Sequence, residues 1–228
     1  MNKSKYIRFL FLILILYCQV QAQNPRAILN QVQVKLNKVN NYRADINIKV
    51  DLPYIIMMPI KTKLYFKQKD KFKIDSKSIA VLPKQGFLQL NSLVNDTVNY
   101  TAIFQSFELI NGVKTNLINL IPNNDTSDVV LAKLWVDAIN HVVIKSQVTT
   151  KSSGTIKTEY IYSKQLSFGL PDQIKFIVDV KKFKIPKALA ADINTSTSKK
   201  VEKKSGAIVV VLTNYEINKG ISDSVFNR

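Results

Sequence analysis

Apolar and polar residues alternate with a period of two along most of this chain. Ile46, Ile48, Val50 and Leu52 alternate with Asp45, Asn47, Lys49 and Asp51, so an extended backbone there carries one apolar and one wet face. Thr62, Leu64 and Phe66 stand against Lys61, Lys63 and Lys67, and Phe72 and Ile74 against Lys71, Lys73 and Asp75. Turn dipeptides then divide the chain into hairpins: Asn111-Gly112 between strands at 103–110 and 113–121, and Ser153-Gly154 between 142–151 and 155–163. Asn140 turns the chain between 129–136 and 142–150. A long strand covers 173–185, with Ile174, Phe176, Val178 and Val180 on one side, and ends at Pro186; a last strand covers 207–216. One stretch has a helical period. Asn24 is a cap, Pro25 suits the first turn, and Ile28, Leu29, Val32, Leu36 and Val39 recur at helical spacing, which predicts an amphipathic helix over 25–39. Residues 84–96 are apolar but less regular.

The N-terminus has a pattern of its own. Lys3, Lys5 and Arg8 precede an apolar run from Phe9 to Tyr17, and Val20-Gln21-Ala22 supplies a small-residue exit, the layout of a secretory signal peptide cleaved after Ala22. Nine apolar residues are too few for the roughly 20 that a spanning helix needs. The chain's one cysteine, Cys18, lies inside this segment behind bulky Leu16 and Tyr17, which does not suit lipid attachment. The expectation is a periplasmic protein without disulfides, held by its core. Residues 23–228 form one domain, with a flexible polar loop at 187–205 rich in Lys, Ser, Thr and Asn.

Without Lys3, Lys5 and Arg8 the chain keeps 30 Lys and Arg against 16 Asp and Glu, a formal charge of +14. Such a balance suits nucleic acid, an anionic membrane or acidic ligands, and export argues against nucleic acid. Only Arg8, Arg26, Arg43 and Arg228 are arginines, so the bidentate fork that planar anion recognition favours is scarce.

Catalysis has little to work with. The mature chain has no Cys and one His, His141, so neither a nucleophile–base pair nor a metal site assembles readily, and the protein is expected to be no enzyme and to hold no cofactor. The strands instead predict a mainly β fold: a curved antiparallel sheet, an unclosed or half β-barrel, covered by the N-terminal helix and a helical or irregular lid. Its apolar face either packs a closed core or lines a hollow for a lipid-like ligand. The candidate lining residues are Ile46, Ile48, Val50, Leu64, Phe66, Phe72, Ile74 and Trp135. The apolar turn of Tyr54, Ile55, Ile56, Met57, Met58 and Pro59 either closes over a ligand or partner or packs against the lid.

Several short segments carry a resemblance. Lys69-Asp70-Lys71-Phe72-Lys73-Ile74, Asn111-Gly112, Leu120-Ile121-Pro122, Leu134-Trp135-Val136-Asp137 with His141-Val142-Val143-Ile144-Lys145, and Leu170-Pro171, in that order behind a signal peptide and a helix, resemble the LolA-like periplasmic lipoprotein carriers over residues 24–217. The resemblance implies an unclosed β-barrel with helices as a lid, whose concave face takes up acyl chains of lipoproteins or lipids. It also implies transfer partners at the inner and outer membranes, and the carrier is expected to be a monomer. A second class shares the architecture: an envelope sensor or interaction module that holds a partner protein's apolar segment. A third, a membrane-spanning barrel, fits less well because Lys and Asp occupy faces that lipid would touch.

Overall fold

The Asn24 side chain accepts the backbone N–H groups of Arg26 and Ala27 at 3.0 and 3.2 Å, and with Pro25 in the first turn this starts α1, Pro25–Leu36. The helix stops three residues short of the expected end. Val39 shares the helical spacing and is buried, but Asn218 Oδ1 accepts the N–H groups of Asn40 and Asn41 at 2.7 and 3.3 Å, which draws the chain out into a strand. A computed structural model describes residues 23–52, 57–68, 71–75, 84–96, 98–152, 154–179 and 205–227. The signal segment with Cys18, residues 54–56 of the apolar turn, Lys69-Asp70, Ser153, residues 180–186 and the polar loop up to residue 204 lie outside these.

Ten strands follow: β1 (Asn41–Asp51), β2 (Ile60–Lys67), β3 (Lys71–Ile74), β4 (Tyr100–Ile110), β5 (Val113–Pro122), β6 (Val129–Asp137), β7 (Val143–Thr150), β8 (Gly154–Ile161), β9 (Gln173–Asp179) and β10 (Ser205–Ile217). They form one sheet in the order β3-β2-β1-β10-β9-β8-β7-β6-β5-β4, antiparallel at every join. The last strand is inserted between β1 and β9, so it joins two runs of sequential hairpins. β3 and β4 are the two edges and do not pair with each other, so the sheet is an unclosed half-barrel. A sheet that spans a bilayer must close to satisfy its edges, which removes the membrane-barrel reading.

Register separates two faces. Ile118, Leu134, Ser146, Thr158, Phe176, Ile208 and Val50 lie side by side across seven strands; we call this the inner face. The neighbouring row, Leu117, Trp135, Lys145, Glu159, Lys175, Val209 and Lys49, must point to the outer face. Leu29 and Val32 of α1 join one apolar cluster with inner-face residues, and so do Leu93 and Val94 of α2, Lys84–Asn95. The irregular stretch expected at 84–96 is therefore a helix.

Local chemistry fixes the turns. Asn111 and Gly112 take φ of 49° and 83°, the positive pair that a tight two-residue hairpin requires. At the β6–β7 turn the left-handed residue is His141, with φ 49°, one place after the expected Asn140. Asp137 sets this: its Oδ1 accepts the N–H groups of Ile139 and Asn140 at 2.8 and 2.9 Å, and its Oδ2 accepts the Asn140 side-chain amide. Burial opposes the ionised form of Asp137, but the Asn140 and Ile139 donors outweigh it and hold its carboxyl below the usual range. At the β3 edge, the C-terminal segment crosses the lysines of β2 and β3. Lys67 and Lys71 both reach Asp223 Oδ1 at 2.8 Å, and Lys73 donates to the Val225 carbonyl.

Candidate functional site

Strand alternation brings seven of the eight sequence candidates onto the inner face. Ile46 lies between Thr62 and Leu212, and Ile48 between Ile60 and Val210. Leu64 sits between Ala44 and Ile74, and Phe66 between Tyr42 and Phe72. Ile46, Ile48, Leu64, Phe66 and Ile74 are buried, while Val50 and Phe72 are half-buried, and all seven belong to the cluster that contains α1 and α2. The apolar surface is thus covered in this structure, with its partly open positions at Val50 and Phe72.

Trp135 is a correction. It is only 6% exposed, but its neighbours along β6, Leu134 and Val136, point inward, so its ring lies on the outer face and outside the inner-face cluster. There its indole Nε1 donates to Glu108 Oε2 at 2.7 Å, and the Lys145 ammonium sits 4.5 Å from the ring centroid. The residue anchors the outer surface and does not line the inner one.

The inner face also holds groups that the sequence reading passed over. Tyr42 stacks on Phe66 with centroids 5.2 Å apart and meets Tyr215 at 5.5 Å. Tyr215 donates its hydroxyl to the Pro171 carbonyl at 2.6 Å, and burial raises the pKa of both tyrosines. Extending the alternation of β1 back from Ile46 through Ala44 reaches Tyr42, which was a usable signal. Farther along, Ser146, Thr158 and Tyr160 form a small polar spot. Burial pushes the Tyr160 phenol up to about 12, against opposing hydrogen bonds from Ser146 and Thr158. A void of about 10 Å³ lies between this spot and Leu90 and Leu93 of α2, room for about one water. At the end of the apolar turn, Met57 packs against the Leu52–Val178 pair, as Val50 does, while Met58 is exposed.

A separate groove of about 360 Å³ is bordered by Ile110, Asn140, Val142, Lys145, Glu159 and Lys175. Lys175 reaches Glu159 at 3.7 Å, a loose exposed pair that adds little stability. Among the described residues no three His, Cys, Asp or Glu side chains converge to hold a metal. Nδ1 of His141 is buried without a hydrogen-bond partner.

No family model and no curated protein matches this sequence. Solved structures do share its fold. A DUF1329 family protein from Desulfovibrio piger is 11% identical, covers 90% of this chain and 98% of its own, and superposes with a TM-score of 0.56. A LolA superfamily protein from Nitrosomonas europaea is 12% identical over 91% of this chain and 99% of its own, with a TM-score of 0.55. A domain from Vibrio parahaemolyticus, provisionally assigned to outer membrane lipoprotein sorting, is 8% identical over 89% of this chain and 96% of its own, with a TM-score of 0.56. The fold of this chain is LolA-like. At these identities the likeness extends to the backbone and leaves ligand choice to the side chains.

Proposed function

We propose that the inner face of β1–β3 is a binding surface for acyl chains, and that the protein is a periplasmic carrier of lipids or lipoproteins. The observation that carries this reading is the open sheet with a largely apolar inner face under two helices. Among the described residues α1 and α2 set Leu29, Val32, Leu93 and Val94, buried, and Ile28, Leu36 and Leu90, partly buried, into the apolar cluster. A single acyl chain of about fifteen methylenes gains about 12 kcal/mol at about 0.8 kcal/mol per methylene, which is the order of energy that displacing such a cover requires.

The cover explains how a face closed in this structure serves a ligand: uptake shifts α1, seated at the start of β4, and α2, seated over β7 and β8, away from the inner face, and release returns them. Entry begins at Val50 and Phe72, where the face is half open. The exported location follows from the N-terminal segment, and inner- and outer-membrane partners supply and receive the cargo.

The test is native mass spectrometry of the chain purified from the cell envelope, followed by titration with a fluorescent acyl probe. Retained lipid, with probe uptake that Val50→Asp abolishes while the fold persists, supports the carrier. A folded protein that neither retains lipid nor binds the probe rejects it. A stable complex with a protein partner would then favour the sensor or interaction module.

A further inference from the structure

We propose that the inner face of the β4–β5 hairpin is a fatty-acid site: Lys114 takes the carboxylate, and Phe104, Phe107 and Leu109 lie under the chain. The proposal rests on the acyl-binding reading of the inner face and names the head group that face selects. Register puts all four residues on one side. Phe104 opposes Ile118 of the inner row; past the bulge, Phe107 opposes Asn116 and Leu109 opposes Lys114. Asn116 in turn lies opposite Val136, which points inward.

This end of the inner face is open. Phe107 is 49% and Leu109 72% exposed, while Phe104 meets Phe107 edge to face with centroids 5.1 Å apart. The helices sit elsewhere: Arg26 of α1 donates to the Tyr100 carbonyl at the other end of β4, and Leu90 and Leu93 of α2 lie over β7 and β8. A chain can therefore lie on Phe107 and Leu109 without moving the cover.

Charge selects the occupant. In a chain of formal charge +17, register leaves Lys114 as the one charged side chain on the inner face of the described strands. Its ammonium sits 4.7 Å from the Phe107 ring centroid, and among the described residues no carboxylate pairs with it. Glu108 faces outward, held by the Trp135 indole, and Asp137 caps the amides of its own turn. An exposed cation on a ring is weakly held, so an anion can draw it off. One lysine offers a single point charge without the arginine fork. That matches a carboxylate, whereas a phosphate monoester brings a second charge that finds no partner here.

The experiment is fluorescence titration of the purified chain with cis-parinaric acid and with its methyl ester, which keeps the chain and removes the charge. We expect the acid to bind about fivefold tighter than the ester, a gap that narrows as salt is added. Lys114→Gln should abolish the gap and leave ester binding unmoved, and Leu109→Ser should weaken both probes. Lys157→Gln, an exposed change on the outer face, should move neither. Acid and ester binding alike, or a gap that survives Lys114→Gln, would overturn the site and leave the acyl-binding reading standing. Binding of neither probe to the folded chain would overturn both. A phosphate-headed single-chain lipid that displaces the acid more effectively than oleic acid does would reject the carboxylate assignment. A dimer that Leu109→Ser dissolves in the absence of probe would place a second copy on the stretch and reject the site.

Discussion

Two leucines with the same chemistry and the same burial allow a packed core to be told from the proposed ligand surface. Leu64 on β2 and Leu134 on β6 are both 0% exposed and belong to the same cluster. Truncating either to Ala removes three carbons, worth about 2.4 kcal/mol at about 0.8 kcal/mol per methylene, plus a term for any void that remains, which places a rigid site at about 2–5 kcal/mol. Leu134 lies between Ile118 and Ser146 in the middle of a strand run and should sit in the upper half of that range. Leu64 lies on the proposed acyl-binding surface between Ala44 and Ile74, near the β3 edge of the sheet, where neighbouring side chains can settle into the space, so its cost should fall near ~2 kcal/mol. The second half of the test is ligand. A fatty-acyl probe at about a hundred times its dissociation constant should stabilise the unmodified chain by about 2.7 kcal/mol; Leu134→Ala should retain that increment and Leu64→Ala should lose most of it. Urea unfolding with and without probe measures all of these on one axis. Equal costs at the two positions, with no increment from probe in the unmodified chain, would refute the division of the inner face.

The outer position of Trp135 has its own consequence: as the chain's one Trp, it should keep its emission when a brominated acyl chain binds, and quenching would place either the ring or the ligand on the other face. Trp135→Phe should cost about 1–3 kcal/mol in urea unfolding, because the Glu108 carboxylate loses its indole donor. Asp223 is held at about 2 against an ordinary 3.8 by its hydrogen bonds to Lys67 and Lys71; since the folded value is depressed, the C-terminal tie should be fully present above pH 3.8 and fade as pH falls toward 2. NMR shifts of Val225 and Phe226 should follow that window, and Asp223→Asn should release the segment at neutral pH. Gly206→Ala should destabilise by about 1–3 kcal/mol, because the added Cβ would lie 2.9 Å from the Asp51 carbonyl; unchanged stability would show that the strand pair can shift to admit it.

Alternation was a sound guide wherever one side of a strand is wet. Ile46, Ile48 and Val50 against Lys49 and Asp51, and Leu64 and Phe66 against Lys63 and Lys67, place their faces correctly because solvent contact leaves a polar residue at every second position. The same rule, applied strictly, places Trp135 outward, since it shares parity with Lys133 and Asp137; residue size misled where parity did not. Helix α1 was overextended because Val39 is buried for a reason foreign to helices, the Asn218 bonds that pull the next residues straight. Leu90, Leu93 and Val94 have helical spacing, but the single short stretch made α2 look irregular. The position of β10 between β1 and β9 had no local signature, because it depends on residues far apart in the chain.

That position governs the order in which the molecule becomes whole. Arg43 meets Glu216 across the β1–β10 seam, a pairing that closes a loop of nearly the entire domain, and such distant contacts form slowly. Until Ile217 has been delivered, the chain holds two unconnected hairpin stacks, β1–β3 and β4–β9, each with a raw edge where β10 belongs. A chain still being delivered N-terminus first therefore cannot complete its fold, and the final strand acts as a zip that closes last.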